Sequence, residues 1–213
     1  MKRCAPQKIP RYGFAFAAVI LTLIFAACRP GESNASSVGC ITPLTGDGAD
    51  YGAATKRGLD LATEKINNNG GVNGKPLRVI YEDDQMSGRV ATNAIQKLIT
   101  IDRVPVIIGA FGSSVTLAIA PIAEKNKVVL FSASSTADAI RDAGDYIFRD
   151  VPTNRAQGKT AALFAAQYLH ARTASILHIN NDYGVSLTEA FEKAFPSTDR
   201  RLLSTDTYTA AHK

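Results

Sequence analysis

Pro105-Val106-Ile107-Ile108-Gly109-Ala110-Phe111-Gly112-Ser113-Ser114-Val115-Thr116 is the stretch on which the fold turns. Residues 105–108 form a short apolar run rich in β-branched side chains, the pattern of a strand buried on both faces. Two glycines follow within four residues, where a backbone must turn or approach another group closely. Ser113 or Ser114 can then cap a helix that runs to about residue 125. Strand, glycine loop and helix make one repeat of an α/β fold.

The same alternation extends in both directions. Upstream, residues 38–44 read as a strand, 45–52 as a glycine-rich loop, and 53–68 as a helix with Leu59, Ala62 and Ile66 inward. Gly70-Gly71 and Asn73-Gly74 mark a turn. Residues 77–81 read as a strand ending in Glu82-Asp83-Asp84, and Val90, Ala91, Ala94, Ile95, Leu98 and Ile99 recur at helical spacing. Downstream, 128–131 and 146–149 read as strands. A second series follows: a helix over 155–169 with Ala161, Phe164, Ala165, Tyr168 and Leu169 inward, a strand over 174–179, a helix over 185–195 and a strand over 202–208. Such alternation predicts an α/β fold, a doubly wound parallel sheet of Rossmann-like form, with helices on both faces. Residues 38–151 are long enough to bury a core, and form the expected N-terminal ligand-binding lobe. Residues 152–213 supply only two helices and two strands, a poor core by size. They are expected to be an incomplete second lobe, the chain being a fragment or the product of an early stop.

The first 28 residues have their own character. Lys2, Arg3, Lys8 and Arg11 precede an apolar run, 14–27, broken only by Thr22. That run is too short for a helix across ~30 Å of hydrocarbon, which needs about 20 residues. A basic start, a short apolar stretch and small residues before a cut site describe a secretory signal. Ala26-Ala27-Cys28 resembles the bacterial lipobox, which implies lipid attachment at Cys28 and an extracytoplasmic, membrane-anchored protein at the periplasm or cell surface. Ordinary signal cleavage or a short membrane anchor are the other readings of the same residues. Residues 29–37 read as a tether. Removing the leader's four positive charges takes the net charge from +5 to +1, so no basic surface for nucleic acid is indicated. Of three cysteines, Cys4 would leave with the leader and Cys28 would carry lipid. Cys40 would then have no partner for an intramolecular disulfide.

Ligands of open parallel sheets sit beyond the carboxyl ends of the strands. The loops 45–51, 109–114, 132–136 and 180–184 are therefore the candidate site. At 109–116 the glycines admit a close approach, and free N–H groups at a helix start favour an anion. Ser113 and Ser114 could equally do no more than cap the helix. Ser132-Ala133-Ser134-Ser135-Thr136 could meet a ligand's carboxylate or ammonium group, or form a serine-rich turn. Tyr51 and Tyr183 lie in the matching tripeptides Asp50-Tyr51-Gly52 and Asp182-Tyr183-Gly184. Each could cover a ligand with its ring or simply pack.

Taken in order, several motifs resemble the branched-chain amino acid-binding proteins, the leucine/isoleucine/valine-binding type of periplasmic binding fold. They are Val38-Gly39-Cys40-Ile41-Thr42-Pro43-Leu44-Thr45-Gly46 with Tyr51-Gly52, then Asn69-Gly70-Gly71-Val72-Asn73-Gly74-Lys75, then Tyr81-Glu82-Asp83-Asp84. The residues 108–116 and 132–136, Gln157-Gly158 and Asp182-Tyr183-Gly184 continue the likeness. The resemblance implies two lobes joined by a hinge near 151–154, closing on a small-molecule solute such as an amino acid. It implies that Ser113, helped by the backbone near Gly112, meets the ligand carboxylate. Ser134, Ser135 and Thr136 would bind the ligand's polar ends, Phe111 and Tyr51 would wall its side chain, and Tyr183 would reach across from the second lobe. The partner implied is the membrane permease of an ABC importer. The same architecture also serves sensors and receptors for amides, urea or aromatic acids, and a non-binding truncated fragment is the remaining alternative.

Other chemistries find little support. Gly158-Lys159-Thr160 lacks the earlier glycine of a phosphate loop, since position 153 is Thr153. Gly112-Ser113 does not form a G-x-S-x-G nucleophile elbow. His170, His178 and His212 follow no metal-ligand spacing. Asp83 and Asp84, adjacent on a strand, point to opposite faces and read as a solvated strand end. No catalytic residue, metal ion or cofactor is expected, and the chain is not expected to be an enzyme.

Overall fold

A computed structural model describes residues 35–209. The leader, Cys28, His212 and residues 29–34 of the tether lie outside the described residues. Strand β1 (Ser36–Thr42) leads through a single 3₁₀ turn, Gly46–Gly48, into α1 (Ala49–Asn68). Then come β2 (Leu77–Asp83), α2 (Gly88–Thr100), β3 (Val106–Ile108), α3 (Ser113–Asn126) and β4 (Val129–Ser132). A 3₁₀ turn at Asp138–Asp142 precedes β5 (Ile147–Arg149). The chain continues through α4 (Asn154–Leu163), β6 (Thr173–Ile179), α5 (Asp182–Ala194) and β7 (Arg201–Tyr208). β1 begins at Ser36, so Ser36 and Ser37 pair with Leu77 and Arg78 rather than serving as tether.

The strands form two parallel sheets, ordered β2-β1-β3-β4-β5 and β6-β7. Register sets which side chains share a face of the larger sheet. Gly39, Ile107, Leu130 and Ile147 lie side by side, and Ile41 joins them by alternation. Against this face pack Ala91, Ala94, Ile95 and Leu98 of α2 and Val115, Ile119, Ala120 and Ala123 of α3, forming one continuous core. Cys40, Ile108, Phe131 and Phe148 share the opposite face. There α1 lies against β1 and β2, and Phe148 at the far edge stays 48% exposed.

Helix boundaries depart from expectation where a side chain caps. Ser87 accepts a hydrogen bond from Val90 N–H, Thr153 from Ala156 N–H and Asn181 from Gly184 N–H. These three oxygens satisfy backbone donors that a helix start leaves unpaired. The Asn181 cap starts α5 at Asp182, so Tyr183 sits in its first turn and not in a preceding loop. Tyr51 likewise lies in the first turn of α1. Neither Ser113 nor Ser114 caps α3: Gly112 holds the cap position and no side chain bonds there.

Two inward faces were also misplaced. On α1 Leu59 is half-buried, whereas Ala62 and Ile66 are exposed and Gly52 alone is fully buried. The helix predicted over 155–169 is α-helical only to Leu163, then continues as a π-helical turn over Phe164–Tyr168. Ala162 is its buried apolar residue, while Phe164, Tyr168 and Leu169 are exposed. Periodicity identifies an apolar stripe, but burial needs an opposing element, and among the described residues none lies over this one.

Candidate functional site

The site is built from the loop after β3. Gly109 has φ +139, and a Cβ placed there would fall 2.2 Å from Ile41 O, so only glycine lets the loop lie on β1. The loop is then pinned by hydroxyls. Ser132 Oγ donates to Ala110 O at 2.9 Å, and Ser135 Oγ to the same carbonyl at 3.1 Å. Ser134 Oγ donates to Phe111 O at 2.9 Å. Ala110 N–H donates to Thr116 Oγ1 at 3.1 Å, and Thr116 Oγ1 lies 2.8 Å from Ser135 Oγ.

This network separates the predicted residues by role. Ser135 is fully buried, and its hydroxyl is committed to the 109–112 loop. Of the two readings open to the serine-rich segment, ligand contact or turn, the Ser135 hydroxyl serves the turn. Ser134 is half-buried and bonded to the same loop. Thr136 Oγ1 is buried and has no partner within the described structure. Ser113 is 4% exposed, and its Oγ accepts the Ala137 N–H at 3.2 Å, leaving its own proton free to donate. A serine hydroxyl that accepts one bond and offers another is suited to an anion.

Phe111 and Tyr51 stack, with ring centroids 4.4 Å apart and planes 17° apart. Tyr51 is 55% exposed, so the pair presents an aromatic wall with one open side. The α3 helix begins beside this wall, and its first turn carries no acidic residue. Its positive end is therefore not neutralised from within.

A second helix start meets the first. Asp182 N–H of α5 donates to Ser114 Oγ at 3.2 Å, and Asp138 N–H donates to Ser186 Oγ at 3.2 Å. Asn154 is fully buried between the two sheets' elements; its backbone N–H donates to Thr136 O and its side-chain amide to Tyr183 O, each at 2.8 Å. The matching tripeptides play matching roles. A Cβ on Gly52 would fall 1.9 Å from Pro43 O, and one on Gly184 would fall 2.1 Å from Ile179 O. Each glycine lets the first turn of a helix rest on the end of the preceding strand, which presents Tyr51 and Tyr183 alike. Two prominent hollows lie elsewhere: one beside Pro152, Gln157 and Phe164, the other between α4, α5 and β6. Tyr183 borders the second, whereas Tyr51, Phe111 and Ser113 border neither.

The acidic pair after β2 is not a solvated strand end. Asp83 Oδ1 accepts from Leu44 N–H at 2.8 Å and Gln85 N–H at 3.0 Å, and its other oxygen accepts from Thr45 Oγ1. Burial pushes its pKa up, but the bonds from Thr45, Gln85 and Leu44 outweigh this and hold it below the ordinary value. Asp84 is 0% exposed, with Oδ1 accepting the Met86 N–H at 2.9 Å and Oδ2 unpartnered. Burial pushes its pKa up to about 6; the Met86 bond opposes and the Asp83 charge adds. Sequence spacing gave no sign of this, because the alternation argument treats both residues as strand, whereas Asp84 already belongs to the turn.

Among the described residues no cluster of three metal-ligating side chains occurs, and no helix is long and apolar enough to cross a membrane. Cys40 is buried and unpaired.

Comparison with known proteins bears on this geometry. The sequence profile described as "Periplasmic binding protein" matches residues 36–212. The chain is 32% identical over 152 residues to the leucine-, isoleucine-, valine-, threonine-, and alanine-binding protein of Pseudomonas aeruginosa, covering 71% of this chain and 40% of that one. The structure is similar to the branched-chain amino acid transporter substrate-binding protein LivJ of Streptococcus pneumoniae, solved with isoleucine. There the TM-score is 0.76 at 26% identity, over 83% of this chain and 50% of that one. It is also similar to the leucine-binding protein LivK of Thermotoga maritima, with TM-score 0.73 at 27% identity, over 81% and 48%. The chain thus spans half or less of the length of these relatives. With a profile match across almost all described residues and a shared parallel-sheet architecture, the chain belongs to the periplasmic binding protein family.

Proposed function

We propose that this chain is the ligand-receiving part of an extracytoplasmic solute-binding protein, anchored through Cys28, that delivers a branched-chain or related amino acid to the permease of an ABC importer. The observation that carries the proposal is the meeting of the α3 and α5 starts beside the stacked Tyr51 and Phe111. Of the two helix N-termini, that of α3 favours a carboxylate by roughly 0.3–2 kcal/mol, whereas Asp182 in the first turn of α5 offsets that of α5. An aromatic wall beside them favours an apolar side chain. An α-amino acid with a branched aliphatic group has both features.

In this reading Ser113 donates its free proton to the ligand carboxylate, with the N–H groups that follow Gly112. Thr136 offers the second hydroxyl. Ser134 and Ser135 hold the loop in shape and act on the ligand through it. Tyr51 and Phe111 contact the side chain, and Tyr183 closes over the ligand as the lobes hinge near 151–154. The names of the Pseudomonas and Streptococcus relatives support the choice of ligand class.

Calorimetric titration of the protein expressed from its complete gene tests the reading. Leucine, isoleucine and valine are expected to bind with a Kd near 1 μM, which corresponds to about −8.2 kcal/mol. Acetamide, urea and benzoate serve as competitors from other classes. Heat from one of these, with none from the amino acids, would replace the ligand class.

A further inference from the structure

The turn that follows β2 has no part in the reading above, yet its backbone is unusual. Gln85 and Met86 are consecutive non-glycine residues with φ of 50 and 56, a conformation that side chains with a Cβ seldom adopt. Five hydrogen bonds hold it there. Asp83 Oδ1 accepts from Gln85, Leu44 and Thr45 N–H, Asp84 Oδ1 accepts from Met86 N–H, and Ser87 N–H donates to Asp84 O at 2.7 Å. A turn so heavily tied in a disfavoured conformation serves to place something.

What it places is the Met86 side chain. A Cβ built on Gly112 would lie 3.2 Å from Met86 Cε, and one built on Gly48 would lie 2.7 Å from Met86 Cγ. Met86 therefore sits between two loops at glycines that leave it room. Gly48 immediately precedes the helix that carries Tyr51, and Gly112 immediately follows Phe111. Those are the two rings that stack. Met86 is itself exposed at this junction, at 40%.

We infer that Met86, aimed by the Asp83–Ser87 turn, is a positioning residue that sets the separation of the Tyr51 and Phe111 loops and so the width of the pocket wall. The inference rests on the reading of that wall as a ligand contact, but the placement of the rings is measurable without ligand. Thioether packing suits the task, because an unbranched side chain fills an irregular gap between two backbones.

The test uses aromatic NMR of the whole chain, with L-leucine as the probe for binding. Met86→Ala is expected to shift the Tyr51 and Phe111 ring resonances and weaken their mutual NOEs, while Met86→Leu keeps both. Gly112→Ala retains Met86 but displaces its methyl, and is expected to move the same rings, which covers the case in which Met86→Ala fails to fold. Where wild type binds L-leucine, Met86→Ala is expected to weaken it by about fivefold or more through lost preorganisation, and Met86→Leu to restore it. Rings unmoved in Met86→Ala and in Gly112→Ala would overturn the inference. Rings that move in a protein that takes up no L-leucine would uphold the positioning role and remove the amino-acid reading instead.

Discussion

A buried carboxyl that resists ionisation makes folding depend on pH, and Asp84 is such a group. Its folded pKa of about 6 lies above the usual carboxylate value of 3.8. The folded chain therefore holds this proton more tightly than the unfolded chain does. Between about pH 4 and pH 6 the Asp84 contribution to stability falls as pH rises, by at most about 3 kcal/mol. Asp84→Asn keeps an acceptor for Met86 N–H but cannot ionise. Denaturant melts should show the variant close to wild type at pH 4 and more stable than wild type at pH 7; equal differences at both would mean that Asp84 ionises freely. Cys40 gives a second outcome. Burial, then the charges of Asp84 and Asp60, push its thiol up to about 12. It should not react with a thiol reagent in the native protein and should react fully once unfolded. For the proposed ligand site, Ser113→Ala in the protein from the complete gene should weaken amino-acid binding about tenfold, the loss of one charge-assisted hydrogen bond. Unchanged affinity, measured by calorimetry, would leave Ser113 only its bond to Ala137.

At the scale of elements, legibility in the sequence followed the physics of each signal. Central strands of the larger sheet were legible because burial on two faces leaves continuous apolar runs, as in Val106–Ile108. The helices α2 and α3 were legible because their stripes meet a real sheet face. The stripe of Phe164, Tyr168 and Leu169 misled, since periodicity reports only the pattern and the opposing surface has to come from elsewhere in the fold. At the site, sequence found the loops but not the division of labour within them. Which of Ser132, Ser134 and Ser135 turns inward depends on a backbone path that composition does not encode. Gly158 shows a different limit. Its neighbour Lys159 raised the question of a phosphate loop, but the structure gives the glycine a packing role. A Cβ there would meet Ala190 Cβ at 2.6 Å and Leu187 O at 2.9 Å, where α4 crosses α5. Gly158→Ala should push the two helices apart and cost about 1–3 kcal/mol of local stability. Faster amide exchange in α4 and α5, with β1 and β3 unchanged, is the expected record of that loss.

At the scale of the whole molecule, the two sheets are unequally supported. Every residue of the continuous apolar core belongs to the larger sheet, its helices, or the loops and 3₁₀ turn that join them. Among the described residues on the smaller sheet's side, Ala162 and Phe195 are the fully buried apolar side chains, whereas Leu177 is 71% and Leu203 60% exposed on the strands themselves. Parallel strands are ordinarily covered on both faces, because the crossover helices that connect them lie there. Local opening free energies follow buried apolar contact. Hydrogen exchange should therefore rank the elements: amides of β1, β3 and β4 exchange slowest, and those of β6, β7 and α4 exchange faster by an order of magnitude or more. A dye that fluoresces on exposed apolar surface should bind the 213-residue chain, with Leu177→Ser and Leu203→Ser reducing the signal. Equal protection of both sheets would mean that the smaller one draws its stability from contacts such as Asn154 to Tyr183 and Asp182 to Ser114. In that case Asn154→Ala, which removes the side-chain tie to Tyr183 and keeps the backbone bond to Thr136, would have to lower the protection of β6 and β7 selectively.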